Sequence, residues 1–188
     1  MDQTSIAAPE RVRIHLSARA TGPGARAAAR ASGATRPTAR DGWCDKLSEA
    51  TSEVFEIMVG TSLGNATEES PAFVADFAAM VGIAGSLCGL VALHTTSDCA
   101  RVMAAKMLGT DEVGAGEDVQ DALGELCNMI AGCFKARVTG LVDGCALSVP
   151  TVIMGRDFAL FSLANGEHYE VTYFFEGKPF SVTLDLHG

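Results

Sequence analysis

The chain lacks the cysteine spacing by which proteins bind metals or form redox pairs. None of its six cysteines belongs to a CxxC motif, and the four histidines do not cluster with them. A secretory signal, which a disulfide framework would require, is not visible either. Because most of the cysteines lie in apolar runs, we expect buried free thiols in a reducing cytosol and no metal site.

The sequence also lacks an uncharged segment long enough to cross a membrane as a helix. Its longest run without Asp, Glu, Lys, Arg or His, Phe77–Leu93, has 17 residues, whereas a spanning helix needs about 20 apolar residues. Gly82, Gly85 and Gly89 interrupt this run. We therefore interpret it as two strands joined by a turn near Gly85-Ser86, with a membrane-spanning helix as the less favoured alternative.

Positive charge is scarce outside the first forty residues. The formal net charge is −9. Residues 1–40 carry seven arginines against two acids, which gives +5, and residues 41–188 carry seven basic and twenty-one acidic residues, which gives −14. An acidic surface repels nucleic acid and anionic membranes, and it attracts a protein that has a basic patch. We expect neither nucleic-acid binding nor membrane insertion.

Residues 1–40 show no sustained apolar periodicity and are rich in Ala, Arg, Gly, Thr and Ser. This composition is typical of a disordered tail. The same composition can mimic an organellar transit peptide, and a misassigned start codon is a further alternative. We therefore predict a tail over 1–40 and a single folded domain over 41–188.

Helix and strand patterns alternate through the rest of the chain. Apolar residues repeat at helical spacing in 43–60, 97–108 and 117–139. In the first of these helices, one side can be lined by Trp43, Leu47, Ala50, Val54, Ile57 and Met58. Two strands fall within 72–93, and further strand patterns cover 146–149, 152–154, 158–163, 171–175 and 180–186, with turns at Asn165-Gly166 and Glu176–Pro179. The expected fold class is α+β, with helices packed on one face of a largely antiparallel sheet.

The segment 117–135 is the most informative part of the sequence, because it predicts one helix with two distinct faces. An apolar stripe consists of Ala122, Leu126, Met129, Ile130 and Cys133. A second stripe consists of Asp121, Glu125, Asn128 and Gly132, with Gly124 beside it. A glycine inside a helix costs about 1 kcal/mol relative to alanine. Two glycines beside a polar pair indicate that another backbone comes close, either a partner's or that of a neighbouring element.

The run LGELCNMIAG over 123–132 resembles the chemotaxis phosphatases of the CheC–CheX type. Ile83–Gly89 and Leu147–Gly155 match the same family in the same order, and the resemblance covers about residues 43–187. The first helix lacks a second ExxN pair, since Glu56 is followed three positions later by Val59. The CheX branch is therefore favoured over CheC. The resemblance also implies a cytoplasmic homodimer built by sheet extension.

The implied activity is removal of the phosphoryl group from the aspartate of a CheY-like response regulator. By this resemblance Asn128 positions the attacking water and Glu125 docks to the receiver's active-site lysine. Asp121, Gly124 and Gly132 then lie at the contact with the partner. Phosphoryl transfer depends mainly on positioning and electrostatics, so the chain itself needs no cofactor, and Mg²⁺ is expected on the receiver.

Two alternatives to this activity remain open from the sequence. The domain could bind a receiver without hydrolysis, as a scaffold related to flagellar switch components. It could also be a purely structural oligomer in which Glu125 and Asn128 form an ordinary solvated helix face. Ser148 precedes Pro150 but lacks a GxSxG setting, so a structural role at a strand end is predicted for it rather than nucleophilic catalysis.

Overall fold

The computed structural model describes residues 42–65, 73–111, 118–138, 144–155, 158 and 166–187. These residues form three helices and seven strands. The helices are α1 (Trp43–Met58), α2 (Ser97–Leu108) and α3 (Val119–Arg137). The strands are β1 (Gly64–Asn65), β2 (Phe77–Gly85), β3 (Cys88–Thr95), β4 (Cys145–Leu147), β5 (Thr151–Met154), β6 (His168–Phe175) and β7 (Lys178–His187).

All seven strands belong to one antiparallel sheet, in the order β1-β6-β7-β3-β2, with β4 and β5 both on the outer edge of β2. β4 pairs with the Ile83–Gly85 end of β2, and β5 pairs with its Phe77–Met80 end. This edge is therefore one interrupted line of two short strands. β2 and β3 confirm the two strands predicted within 72–93, with the turn at Ser86-Leu87.

The three helices pack on one face of the sheet, which confirms the predicted α+β class. Alternate residues of the strands point into a shared core with the helices, as half-buried strands require. The core includes Phe77, Ala79, Val81 and Ile83 of β2, Val182 and Leu184 of β7, and Leu123, Leu126, Ile130 and Phe134 of α3. α3 lies in the middle of this layer because it contacts α1, α2 and the sheet.

For one residue of α1, the predicted position in the core is wrong. Ile57 was expected on the core side with Leu47 and Val54, which are buried, but it is 66% exposed. The buried stripe continues instead through Phe55 and Val59. Ile57 lies on nearly the same side of the helix as Ala50, which is seven residues earlier and fully buried, so its exposure means that the last turn of α1 is left uncovered on that side.

The β6–β7 turn is tighter than predicted. Glu176 and Gly177 alone connect the strands, with φ of 47° and 74°, the pattern of a two-residue hairpin turn. Pro179, predicted within the turn, therefore lies in β7 opposite Phe174. β3 pairs with β7 only as far as Phe180, so proline stands one residue beyond that ladder, where a missing N–H is tolerated.

Several expectations fall outside the described residues. These are the tail over 1–40, the end of the third helix at 139–140, the greater part of the strand predicted over 158–163, and Asn165 of the predicted turn. β1, a two-residue strand beside β6, was not predicted. Two residues are too few to show strand periodicity in a sequence.

Candidate functional site

The predicted polar stripe lies on the exposed side of α3. Asp121 and Glu125 are exposed, and Asn128 and Gly132 are partly exposed. Residues three and four apart on a helix are neighbours. The carboxylate of Glu125 and the carboxamide of Asn128 therefore stand one turn apart on the surface, as the sequence predicted.

The functional groups of this stripe are not used inside the domain. Within the described part of the chain, the side chains of Asp121, Glu125 and Asn128 make no hydrogen bond and no ion pair. A carboxylate and an amide in this state remain available to a second molecule. Asp121 and Glu125 also repel each other at i,i+4 spacing, which disfavours the isolated helix by a few tenths of a kcal/mol.

The other sides of α3 hold the stripe in place. Leu123, Leu126 and Ile130 are completely buried, while Met129 and Cys133 of the predicted stripe are only partly buried. The apolar surface of α3 is thus wider than the predicted stripe, because helices and sheet enclose it on several sides. A helix fixed along its length by packing presents its polar side chains in one orientation.

A second anchor of α3 was missed by the sequence analysis. The Arg137 guanidinium in its last turn forms ion pairs with Glu53 and, at 3.7 Å, with Glu49 of α1. It also donates a hydrogen bond to the carbonyl oxygen of Cys133 at 3.2 Å. A cation at this end complements the helix dipole. A basic residue in the last turn of the predicted helix indicates an interaction of Arg137 with the helix C-terminus, but the sequence does not show that Arg137 pairs with acids of α1.

The two glycines of the stripe have different surroundings. A Cβ added to buried Gly124 would lie 3.4 Å from Pro150 Cβ and 3.4 Å from Val152 Cγ2, so the close neighbour there belongs to the same chain. A Cβ added to Gly132 would meet nothing within 4 Å. Close packing inside the domain therefore accounts for Gly124, whereas Gly132 faces open space in which another molecule could approach.

Ser148 fixes the short segment between β4 and β5 to strand β2. Its hydroxyl accepts a hydrogen bond from the Gly82 N–H at 2.9 Å and donates one to the Val149 carbonyl at 2.8 Å. This confirms the structural role predicted for Ser148. In the described ranges no histidine ring hydrogen-bonds to Ser148: the His94 ring contacts Thr183 and the His168 ring contacts Asp185.

The cysteines are all free, as predicted. Burial raises the pKa of Cys99 to about 11 and that of Cys127 to about 12, which keeps these thiols protonated and unreactive. Cys88 differs from the expectation of burial because it is exposed. Cys145 is buried, and although burial acts to raise its pKa, hydrogen bonds from Ser86 and Leu87 lower it. In the described ranges no three His, Cys, Asp or Glu side chains come together as metal ligands.

Fold and site together define a class of protein. It is an α+β domain with helices on one side of an antiparallel sheet, and its longest helix displays an acid–amide pair that no side chain of the described domain engages. Such a surface can position a reacting group that a second molecule carries.

The chain belongs to the chemotaxis phosphatase CheX family. The family model matches residues 77–175, slightly more than half of the chain, and this range contains the whole of α3. The resemblance carried by LGELCNMIAG is thereby confirmed. None of the curated proteins matches the chain.

Solved structures of CheX proteins have a similar fold. The CheX protein of Desulfovibrio desulfuricans is 25% identical, with a TM-score of 0.67 over 77% of this chain and 99% of that one. CheX of Vibrio vulnificus is 18% identical, with a TM-score of 0.68 over 80% and 99%. CheX in a CheX–CheY–BeF₃–Mg²⁺ complex of Borrelia burgdorferi is 21% identical, with a TM-score of 0.65 over 81% and 100%. The predicted CheC/CheX-like fold is thus confirmed.

None of the helices in the described ranges is long and apolar enough to cross a bilayer.

Proposed function

We propose that this protein removes the phosphoryl group from the phosphorylated aspartate of a CheY-like response regulator. Asn128 holds the attacking water, and Glu125 docks to the lysine beside the receiver's phosphorylated aspartate. The observation that carries the proposal is the Glu125/Asn128 pair, one turn apart on the exposed face of α3 and without a partner in the described domain.

The chemistry of an amide suits the proposed role of Asn128. A carboxamide offers both an acceptor oxygen and donor N–H groups to one water molecule, and it carries no charge. A carboxylate at this place would be repelled by the phosphoryl oxygens. Because most of the catalysis of phosphoryl transfer lies in positioning and charge stabilisation, a fixed amide that orients a water in line with phosphorus is sufficient as the contribution of this chain.

The proposed role of Glu125 rests on its charge and exposure. A carboxylate that meets a lysine within an interface steers the approach of the partner and fixes its register. Asp121, one turn earlier on the same exposed side, adds negative charge to this surface. The net charge of −14 over residues 41–188 has the same sign, so a partner with a basic patch is attracted over a longer range.

The comparisons support the choice of partner. The chain belongs to a family of chemotaxis phosphatases, and a relative of similar fold occurs in a complex with CheY, BeF₃ and Mg²⁺. Beryllium trifluoride has the shape and charge of a phosphoryl group bound to a carboxylate. By analogy, we expect this chain to meet a receiver that holds its own Mg²⁺, with no cofactor on the chain, in the cytoplasm where such receivers occur.

A homodimer built by sheet extension remains a prediction. Among the described residues, the outermost strands of the sheet are β1 on one side and the β4–β5 line on the other. A dimer of this kind would pair one of these edges with its copy, and sedimentation of the purified protein would test it.

The test of the proposed activity measures phosphate loss from a purified, phosphorylated CheY-type receiver of the same organism. The parent protein is expected to accelerate it, and Asn128→Ala to lower that acceleration by roughly 100-fold, the usual effect of removing one positioned polar group. Asn128→Asp serves as the matched variant: it keeps the shape, adds a charge, and is expected to be equally slow. Equal rates for the parent and Asn128→Ala would contradict the mechanism. Binding by the parent without acceleration would favour a scaffold.

A further inference from the structure

An exposed apolar strip lies beside the polar stripe of α3. Val149 is 82% exposed and Met154 is 61% exposed, and Pro150 between them is exposed as well. We call these three residues the ledge. They belong to the interruption between β4 and β5 and to the end of β5. Apolar side chains of this size that cluster in solvent at one edge mark a contact surface more often than isolated ones do.

Two residues of the ledge, Met154 and Pro150, lie against the first half of α3. Gln120 Nε2 lies 3.6 Å from Met154 Sδ, and a Cβ on Gly124 would lie 3.4 Å from Pro150. Residues 120 and 124 are one helical turn apart, and Asn128 is the next member of this row. The ledge and the acid–amide face are therefore two adjoining parts of one surface.

The backbone of the ledge is held firmly in place. The Ser148 N–H donates to the Gly82 carbonyl at 2.9 Å, and the Ser148 hydroxyl accepts from the Gly82 N–H at 2.9 Å. At the other end the Gly155 N–H donates to the Asp76 carbonyl at 3.0 Å. Apolar side chains on a fixed backbone lose little conformational freedom when a partner binds, so they bind more tightly than mobile ones.

We propose that the ledge is the apolar half of the receiver-docking surface, beside the lysine-binding Glu125. The proposal rests on the function proposed above, and its occupant is the receiver domain. A polar stripe alone makes a wet contact, whereas stable interfaces surround their central polar contacts with apolar groups that exclude water. Pro150 and Met154 supply such groups beside α3, and the exposed Val149 directly precedes Pro150 in the chain.

A second copy of the chain fits the ledge less well than a receiver. Pro150 has no N–H and interrupts the β4–β5 line, which breaks the row of donors that strand pairing needs. A copy related by two-fold symmetry would also bring Asp121 and Glu125 towards their own equivalents, and like charges in an interface are unfavourable. A partner with a lysine meets the same carboxylates favourably.

The test compares Val149→Ser and Met154→Gln with Ile57→Ser. Ile57 is 66% exposed and lies near the end of α1, after which the chain enters β1 at the opposite edge of the sheet. It therefore controls for loss of an exposed apolar side chain elsewhere. The measurements are the affinity of each variant for a CheY-type receiver loaded with beryllofluoride and Mg²⁺, and the half-saturation and maximal rate of phosphate loss.

Each ledge variant is expected to weaken receiver binding, and to raise the receiver concentration at half-saturation, by roughly ten-fold, while the maximal rate stays nearly unchanged. Ile57→Ser is expected to leave both the affinity and the half-saturation as in the parent. Binding equal to the parent in both ledge variants would overturn the proposal while Asn128→Ala still tests catalysis separately. A change in sedimentation without a change in receiver affinity would also overturn it, because the ledge would then contact a second copy. A parent that binds but does not hydrolyse, with weakened ledge variants, would support the docking surface and reject the phosphatase.

Discussion

Helices α1 and α3 lie side by side, and the pair Glu49/Glu53 of α1 and the pair Asp121/Glu125 of α3 have the same i,i+4 spacing but opposite surroundings. On α1, Glu49 and Glu53 both meet the Arg137 guanidinium. On α3, Asp121 and Glu125 meet no basic side chain of the described domain. The acids of α1 are thus part of what fastens the two helices together, whereas those of α3 contribute nothing favourable to the isolated fold.

The difference separates stability from recognition within one layer of the protein. A carboxylate that is already paired is poorly suited to meet a partner, since the internal pair must first be broken. A carboxylate left unpaired keeps its full charge for an incoming lysine. The helix that carries the unpaired acids also carries the amide Asn128, and this coincidence is the reason for placing the docking site on α3 rather than on α1.

Charge reversal at equivalent acids is expected to have the largest effect and tests this comparison directly. Glu125→Lys should weaken receiver binding about 100-fold, because it replaces an attraction to a lysine with a repulsion. Glu53→Lys should leave binding almost unchanged and destabilise the fold by about 1 kcal/mol, because it faces Arg137 with a like charge. Receiver affinity and thermal unfolding of both variants are the measurements.

The two variants serve as controls for each other, since each changes the net charge by the same amount. If both weakened binding equally, the effect would be general electrostatic steering rather than a specific contact of Glu125. Repeating the titration at higher ionic strength distinguishes these cases, because long-range steering is screened by salt while a close pair is screened less.

Removing the shared cation is expected to have a smaller effect. Arg137→Met retains much of the apolar stem but loses the ion pairs to α1 and the hydrogen bond to the Cys133 carbonyl. We expect a loss of about 1 kcal/mol in the free energy of unfolding, since these pairs are partly exposed. Lys135→Met is the matched control. It also removes one positive charge from the last turn of α3, but the Lys135 ammonium forms no ion pair within the described domain.

A loss in Arg137→Met no larger than in Lys135→Met would mean that the α1 acids are as free as those of α3, and the contrast between the helices would disappear. Denaturant unfolding measures this difference directly.

Much of the domain was predictable because it follows periodic patterns. The three helices and the central strands were found from apolar spacing, and the acid–amide stripe of α3 lies on the exposed side as its period predicted. The pairing of Arg137 with α1 and the contact of Gly124 with Pro150 were not predictable. Both join residues far apart in sequence, and periodicity carries no information on which distant elements become neighbours.

The misplaced residues have a related cause. Ile57 has the side chain and the spacing of a core residue, but the last turn of α1 is covered on the side of Phe55 and Val59 and not on the side of Ile57. Pro179 is a common turn residue, yet the conformations of Glu176 and Gly177 complete the turn before it. In both cases tertiary context outweighed a local preference.

Gly132 offers the smallest and most specific test of the free face of α3. A Cβ there meets nothing within 4 Å, so Gly132→Ala should stabilise the domain by up to about 1 kcal/mol through helix propensity. If the receiver approaches α3 at this point, the same methyl group should weaken its binding several-fold. Gly124→Ala is the control, because its Cβ would instead press on Pro150 and Val152 of the same chain. Higher stability with unchanged affinity in Gly132→Ala would remove Gly132 from the contact and confine docking to the Asp121–Asn128 part of the helix.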